Sequence, residues 1–341
     1  MADGKTEVVV GFIAQFLGRF SESFSAAVAL WPLASLALTL PILAYLYHRD
    51  GRLRASSAVT AYLAVLYVLG LGCFTLYPLP DGSSGPGITY GIPPRFNPLG
   101  FLDDLAKDGV RALPDMVANV AFFVPLGFIA GRMLRWRFAP TLALGFGASL
   151  LIETAQLTGL FGLYPYAYRM FDVLDLLCNT TGAAVGWGLA VLAARLLPPG
   201  ELAPEGQVTD RPGLVRRAVA LWIDLAAAGA VLVVSMAAAS LVLYAAGDSS
   251  WTEGARWEAA VALAVFVAFE GVVPWLRQGR TLGGGFVRMT CETRPREGWR
   301  RLAFYVARLL VLGFVLAFSP LAVPAVLLFY AFARRMPYDY V

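Results

Sequence analysis

SLLIETAQLTGLFGLYPYAYRMFDVLDLLCNTTGAAVGWG, residues 149–188, is two apolar segments joined by a short aromatic loop, with acids and amides where each segment meets the loop. Glu153 and Gln156 stand near the end of the first segment; Asp172, Asp175, Asn179, Gly182 and Gly186 open the second. At about 100° per residue those five fall within an arc of roughly 80° on one helix face. A polar stripe that narrow on an apolar helix faces another helix or a water-filled pocket. Placing an ionisable group in hydrocarbon costs on the order of 3 kcal/mol, so acids there are seldom idle.

The rest of the chain fits that reading. It has 341 residues, of which 58% are hydrophobic and only 15% charged; its mean hydropathy is +0.66. Soluble domains carry about 25% charged residues. Several runs reach the length of a membrane span with almost no charge. No cleavable signal is expected, because Met1 to Phe20 carries acids and lacks a basic n-region. The formal charge of +4 does not point to nucleic acid, since the arginines cluster at the ends of apolar runs. Cys73, Cys178 and Cys291 form no CxxC pair, and the single histidine, His48, stands beside a basic turn, so a His ligand cluster or a His–Asp relay at the polar stripe is not expected. No HExxH, nucleophile elbow or Walker lysine is present, and no catalytic residue, metal or cofactor is expected.

In order, residues 8–20 read as an interfacial helix and spans follow at about 26–47, 55–78, 116–134, 138–157 and 173–195. A Gly- and Pro-rich loop containing FNPLGF separates the second span from the third, and a polar, proline-containing linker fills 198–213. Two further spans end at about Tyr244 and Leu276. The last apolar stretch, 302–333, would be about 45 Å long as one helix against a core of about 30 Å, so Pro320 and Pro324 kink it or break it into a hairpin. The expected fold is an all-α polytopic membrane helix bundle of about eight transmembrane spans, five plus three. Its expected domains are 1–197 and 214–341.

Placing the N-terminus outside puts 17 basic residues on the cytoplasmic side and seven on the other, as the positive-inside rule requires. Asp115 and Asn119 then open the third span at the external leaflet, level with Glu153, Gln156, Asp172, Asp175 and Asn179. Arg95 and Asn97 lie in or beside the FNPLGF loop expected to cover them, and Arg169 stands three residues from Asp172. Glu153, the deepest, is the expected proton carrier. A structural reading competes: the same groups serve as interhelical hydrogen bonds, each about 0.6–2 kcal/mol. In the C-terminal half, Asp224, Glu270 and Arg308 each lie seven residues inward from Arg217, Arg277 and Arg301. Seven residues of helix is about 10.5 Å, which sets all three at one depth and predicts that Arg308 contacts Asp224, Glu270 or both.

The NPLGF segment, the run NVAFFVPLGF and IETAQ…GLYPYAYRMFDVLDLLCNTTGAAVG resemble the VanZ-like family of small bacterial membrane proteins over about residues 20–197. Asn119, Pro125, Glu153, Gln156, Arg169, Asp172, Asp175, Asn179 and Gly182 carry the resemblance. That family is associated with teicoplanin-type glycopeptide resistance, which implies a cell-envelope role in the bacterial plasma membrane rather than a particular reaction. From about 212 to 335, PGLVRRAVALWID and RQGRTLGGGFVRM are similar to the RDD family, with Arg217 and Asp224 matching its arginine and first aspartate, and Asp339 a candidate for the second. The leading expectation is an envelope protein whose external pocket binds, or transports, a polar-headed lipid, a lipid-linked precursor or an amphiphilic antibiotic. A membrane-embedded metal-dependent enzyme and a scaffold without a small ligand stay open. No nucleic acid is expected as a partner, and the sequence sets no oligomeric state.

Overall fold

The computed structural model describes residues 3–77, 79, 93–109, 113–167, 169–198, 202, 204, 207–245 and 255–341, of which 3–20, 104, 108, 243 and 255–257 are described by their backbone alone. Helices dominate: α1 Asp3–Asp50, α2 Ala55–Leu76, α3 Gly100–Asp108, α4 Leu113–Phe128, α5 Phe138–Leu157, the single turn α6 Gly159–Gly162, and α7 Val173–Leu196. They continue as α8 Leu214–Ala245, α9 Ala255–Val267, the single turn α10 Val273–Leu276, α11 Leu282–Phe286, α12 Gly298–Ala317 and α13 Ser319–Ala333. Among the described residues there is no strand beyond two isolated bridges.

Among the described residues, seven helical stretches are long and apolar enough to cross a membrane: Ser21–Asp50, Ala55–Leu76, Leu113–Met133, Phe138–Leu157, Val173–Leu196, Leu214–Val242 and Glu258–Leu276. Burial is inverted relative to a water-soluble protein. Leu36, Val233, Val234, Leu310 and Phe332 are exposed, while Glu153, Gln156, Asn179, Asp224, Glu270 and Arg308 are buried. Hydrocarbon as solvent dictates that distribution, because apolar side chains lose nothing by facing it and polar ones must find partners inside. The chain is a polytopic helical membrane bundle.

One expectation changes and one open alternative is decided. Residues 8–20 are not a separate interfacial helix but the beginning of the unbroken α1. The stretch 302–333 is a hairpin: it breaks at Phe318, which leaves helical geometry (φ −125, ψ 39), and Pro320 sits in the first turn of α13 where its missing N–H costs nothing. The return is fixed by Tyr338, whose ring meets Phe304 near the start of α12 at 5.8 Å.

The chain forms two compact units, Met1–Ala37 with Val59–Gly200, and Leu38–Ala58 with Glu201–Val341. The first is held by α4 against α7. A Cβ at Gly182 would strike the Val120 carbonyl, one at Gly186 the Val124 carbonyl, and one at Gly127 the Ala183 carbonyl. Backbone therefore lies on backbone, the arrangement that small residues four apart permit in membranes. Helix α5 joins this pair where Gly145 faces Ala183. Helix α2 is tied on by the Tyr67 hydroxyl, which donates to the Phe122 carbonyl at 2.8 Å.

The second unit takes in the end of α1. Ala44 and Tyr47 pack on Val219, Ala220, Val287 and Met289. Arg216 lies over the Tyr47 ring at 4.5 Å and donates to the Gly51 carbonyl. Arg288 Nε donates to the His48 carbonyl at 2.7 Å, and the His48 ring stacks on Phe286.

Candidate functional site

The site in the first unit is built where α5 ends and α7 begins. The Thr158 hydroxyl accepts from Phe161 N at 3.0 Å and opens a tight turn in which Gly159, Leu160 and Phe161 all have positive φ. Gly159 admits no side chain, since a Cβ there would run into the carbonyls of Tyr164 and Tyr166. The aromatic loop then delivers Asp172 as the N-cap of α7, its carboxylate accepting from Leu174 N at 2.8 Å. Arg95 clips the same point: its N–H donates to Phe171 O at 2.8 Å and its carbonyl accepts from Val173 N at 3.0 Å.

Around this clip the acids gather. Glu153 Oε2 accepts the Asp172 N–H at 3.1 Å, tying α5 to the N-cap of α7. Asp172 Oδ2 faces Arg95 Nη1 at 3.4 Å. Asp175 accepts from the Asn119 amide of α4 at 2.5 Å. Arg169, half-buried on the aromatic loop, is the cation whose field reaches both Glu153 and Asp175. Asp115 is exposed at the head of α4 and contributes only its charge, felt at Asp175. Carboxylates at the start of a 24-residue helix also complement its dipole, and that accounts for part of their clustering.

Three of the expected residues make contacts apart from the acids. Gln156 points to α2 and donates to the Thr75 carbonyl at 2.7 Å. Asn179 lies deeper, donating to Ser149 Oγ at 2.9 Å while its Oδ1 is buried without a partner. Asn97 is not in the cluster: its exposed side chain accepts from Leu99 N at 3.0 Å and shapes the turn before α3. The loop reaches the cluster through Gly100, beside the Arg95 guanidinium.

The second polar group sits wholly within the second unit. Arg308 pairs with Glu270 at 2.5 Å and also donates to its carbonyl. Asp224 is not bonded to Arg308; its Oδ1 accepts from Gly283 N at 2.6 Å. Arg217 pairs with Asp339 at 2.8 Å, in the turn after α13. Sequence reasoning did not place Asp339 in this group, since the hairpin that returns it to Arg217 has no local signature. Glu292, held by Arg301 and the Tyr305 hydroxyl, was also missed. Among the described residues no set of three His, Cys, Asp or Glu side chains is arranged to hold a metal ion.

Fold and clusters define a polytopic membrane protein that buries its ionisable side chains between spans. Residues 61–194 match the model of the VanZ/LLP1 family, which covers every member of the first cluster. Nothing found supports an RDD domain in the residues beyond. No curated protein and no solved structure matches the chain.

Proposed function

We propose that the first unit binds a polar-headed lipid or lipid-linked envelope precursor, with its head at Arg95, Glu153, Asp172 and Asp175. One observation carries this reading. An apolar cavity of about 190 Å³, lined by Phe24, Leu66, Tyr67, Phe74, Phe122 and Pro125, opens one to two turns along α4 from Asn119. A polar cluster and an apolar cavity along one helix suit a molecule with a head and a chain. The three acids with Arg95 and Arg169 leave an unmatched negative charge, which favours hydroxyl, amide or ammonium donors on the head.

The excess of arginine at the opposite ends of the spans supports an external leaflet for this site in the bacterial plasma membrane. The family match supports a link to glycopeptide resistance. An RDD-like reading of the second unit rests on Arg217, Asp224 and the Arg217–Asp339 pair alone. To test the binding reading, lipids retained by the purified protein are identified by mass spectrometry for wild type and Glu153→Gln. Selective loss of one polar lipid class from the folded variant supports it, and identical lipid profiles contradict it.

A further inference from the structure

The second unit holds a cavity that the lipid reading does not use. It measures about 160 Å³ and lies between α8, α12 and α13, comparable with apolar cavities that accept a benzene-sized molecule. One end is polar, formed by Asp224, Thr281, Arg308 and Tyr338. The other is apolar, formed by Leu221, Leu312, Val315, Val323 and Leu327. Val323 and Leu327 are 39% and 46% exposed, so the apolar end reaches the lipid-facing surface of α13.

The polar end is incomplete. Asp224 is 1% exposed and its Oδ2 is buried with no hydrogen-bond partner. Arg308 spends its two terminal nitrogens on Glu270, and its Nε is likewise buried without a partner. Asp224, Glu270 and Asp339 face Arg217 and Arg308, while Arg296 lies against the far side of Asp339 and donates to its carbonyl at 3.2 Å. Arg217 and Arg308 each pair with another carboxylate, and among the described residues neither hydrogen-bonds Asp224. A buried carboxylate oxygen calls for a donor, and one that is charged is matched best by a cationic donor. A metal ion fits poorly, because no third His, Cys, Asp or Glu completes a ligand set among the described residues.

We propose that this cavity binds a single-chain amphiphile with a primary ammonium headgroup. The ammonium donates to Asp224 Oδ2, and an oxygen beside it, as in an amino alcohol, accepts from Arg308 Nε–H. The alkyl chain runs along Leu312 and Val315 and leaves past Val323 and Leu327.

Native mass spectrometry of the full-length protein from maltoside detergent tests this with dodecylammonium, dodecanol, dodecyl sulfate and ammonium chloride as probes. The expected result is one saturable dodecylammonium adduct per chain and none from the other three probes. Asp224→Asn should weaken that adduct at least about tenfold, as loss of a charge-assisted hydrogen bond does. Val323→Trp fills the chain exit without touching the carboxylate; it should weaken the adduct similarly, and it carries the test if Asp224→Asn does not fold. An equal adduct from dodecyl sulfate or dodecanol would show an unselective greasy cavity, and one from ammonium chloride a bare cation site. Either result, or undiminished binding in a folded variant, overturns the proposal.

Discussion

Glu153 and Asp172, 19 residues apart, are joined by a hydrogen bond from the Asp172 N–H to the Glu153 carboxylate at 3.1 Å. That bond closes the aromatic loop and fixes the end of α5 against the start of α7. It also brings two carboxyl groups together, so the site is held by a group that is itself ionisable. Glu153→Gln keeps an acceptor for the Asp172 N–H and should fold. Glu153→Leu leaves that buried donor unpaired and should lower stability by about 1–3 kcal/mol. Thermal unfolding of the two variants in detergent measures the difference.

The α4–α7 contact predicts a sharp contrast among glycines. Gly182→Val and Gly186→Val must push α4 off its seat, because the carbonyls of Val120 and Val124 occupy the space. Each should cost about 3 kcal/mol or more and reduce folded yield. Gly147→Ala on α5 meets nothing within 4 Å and should be close to neutral. Size-exclusion profiles after expression separate the outcomes.

Arg308 and Glu270 give a test of buried charge. Arg308→Ala strands the Glu270 carboxylate and should destabilise by about 3–5 kcal/mol. Glu270→Gln still offers Arg308 an oxygen and should cost less. Equal losses in unfolding midpoint would contradict the account of that pair.

Cys291 lies outside the spans and is 3% exposed, and burial pushes its thiol up from the ordinary value. The folded state therefore favours the protonated thiol. That preference is fully present below the ordinary thiol value and fades as pH rises through the folded one. Iodoacetamide at pH 8 should leave Cys291 unlabelled until the protein unfolds, as read by peptide mass spectrometry.

The sequence carried some of this architecture plainly. The run of Asp172, Asp175 and Asn179 with Gly182 and Gly186 marks a helix face because both polar and small residues follow one helical period. Asp172 ahead of an apolar run is an N-cap signal, and the structure uses it so. Arg95 was placed near the site, but its clip to Phe171 and Val173 is a backbone contact across more than 70 residues that no side-chain pattern announces. The reach of Gln156 to Thr75 and of Arg217 to Asp339 depends on helix rotation and on the Phe318 break, which composition does not encode. The unbroken α1 was hidden because its apolar pattern drifts around the helix, without the caps that mark a boundary.

A cryo-electron microscopy map of the full-length protein in nanodiscs of bacterial polar lipid tests the central claim most directly. The account predicts headgroup density within hydrogen-bond reach of Arg95, Glu153 or Asp175, continuous with a chain in the cavity at Phe74, Phe122 and Pro125. Annular lipid resolved elsewhere, with both cluster and cavity empty, would contradict it.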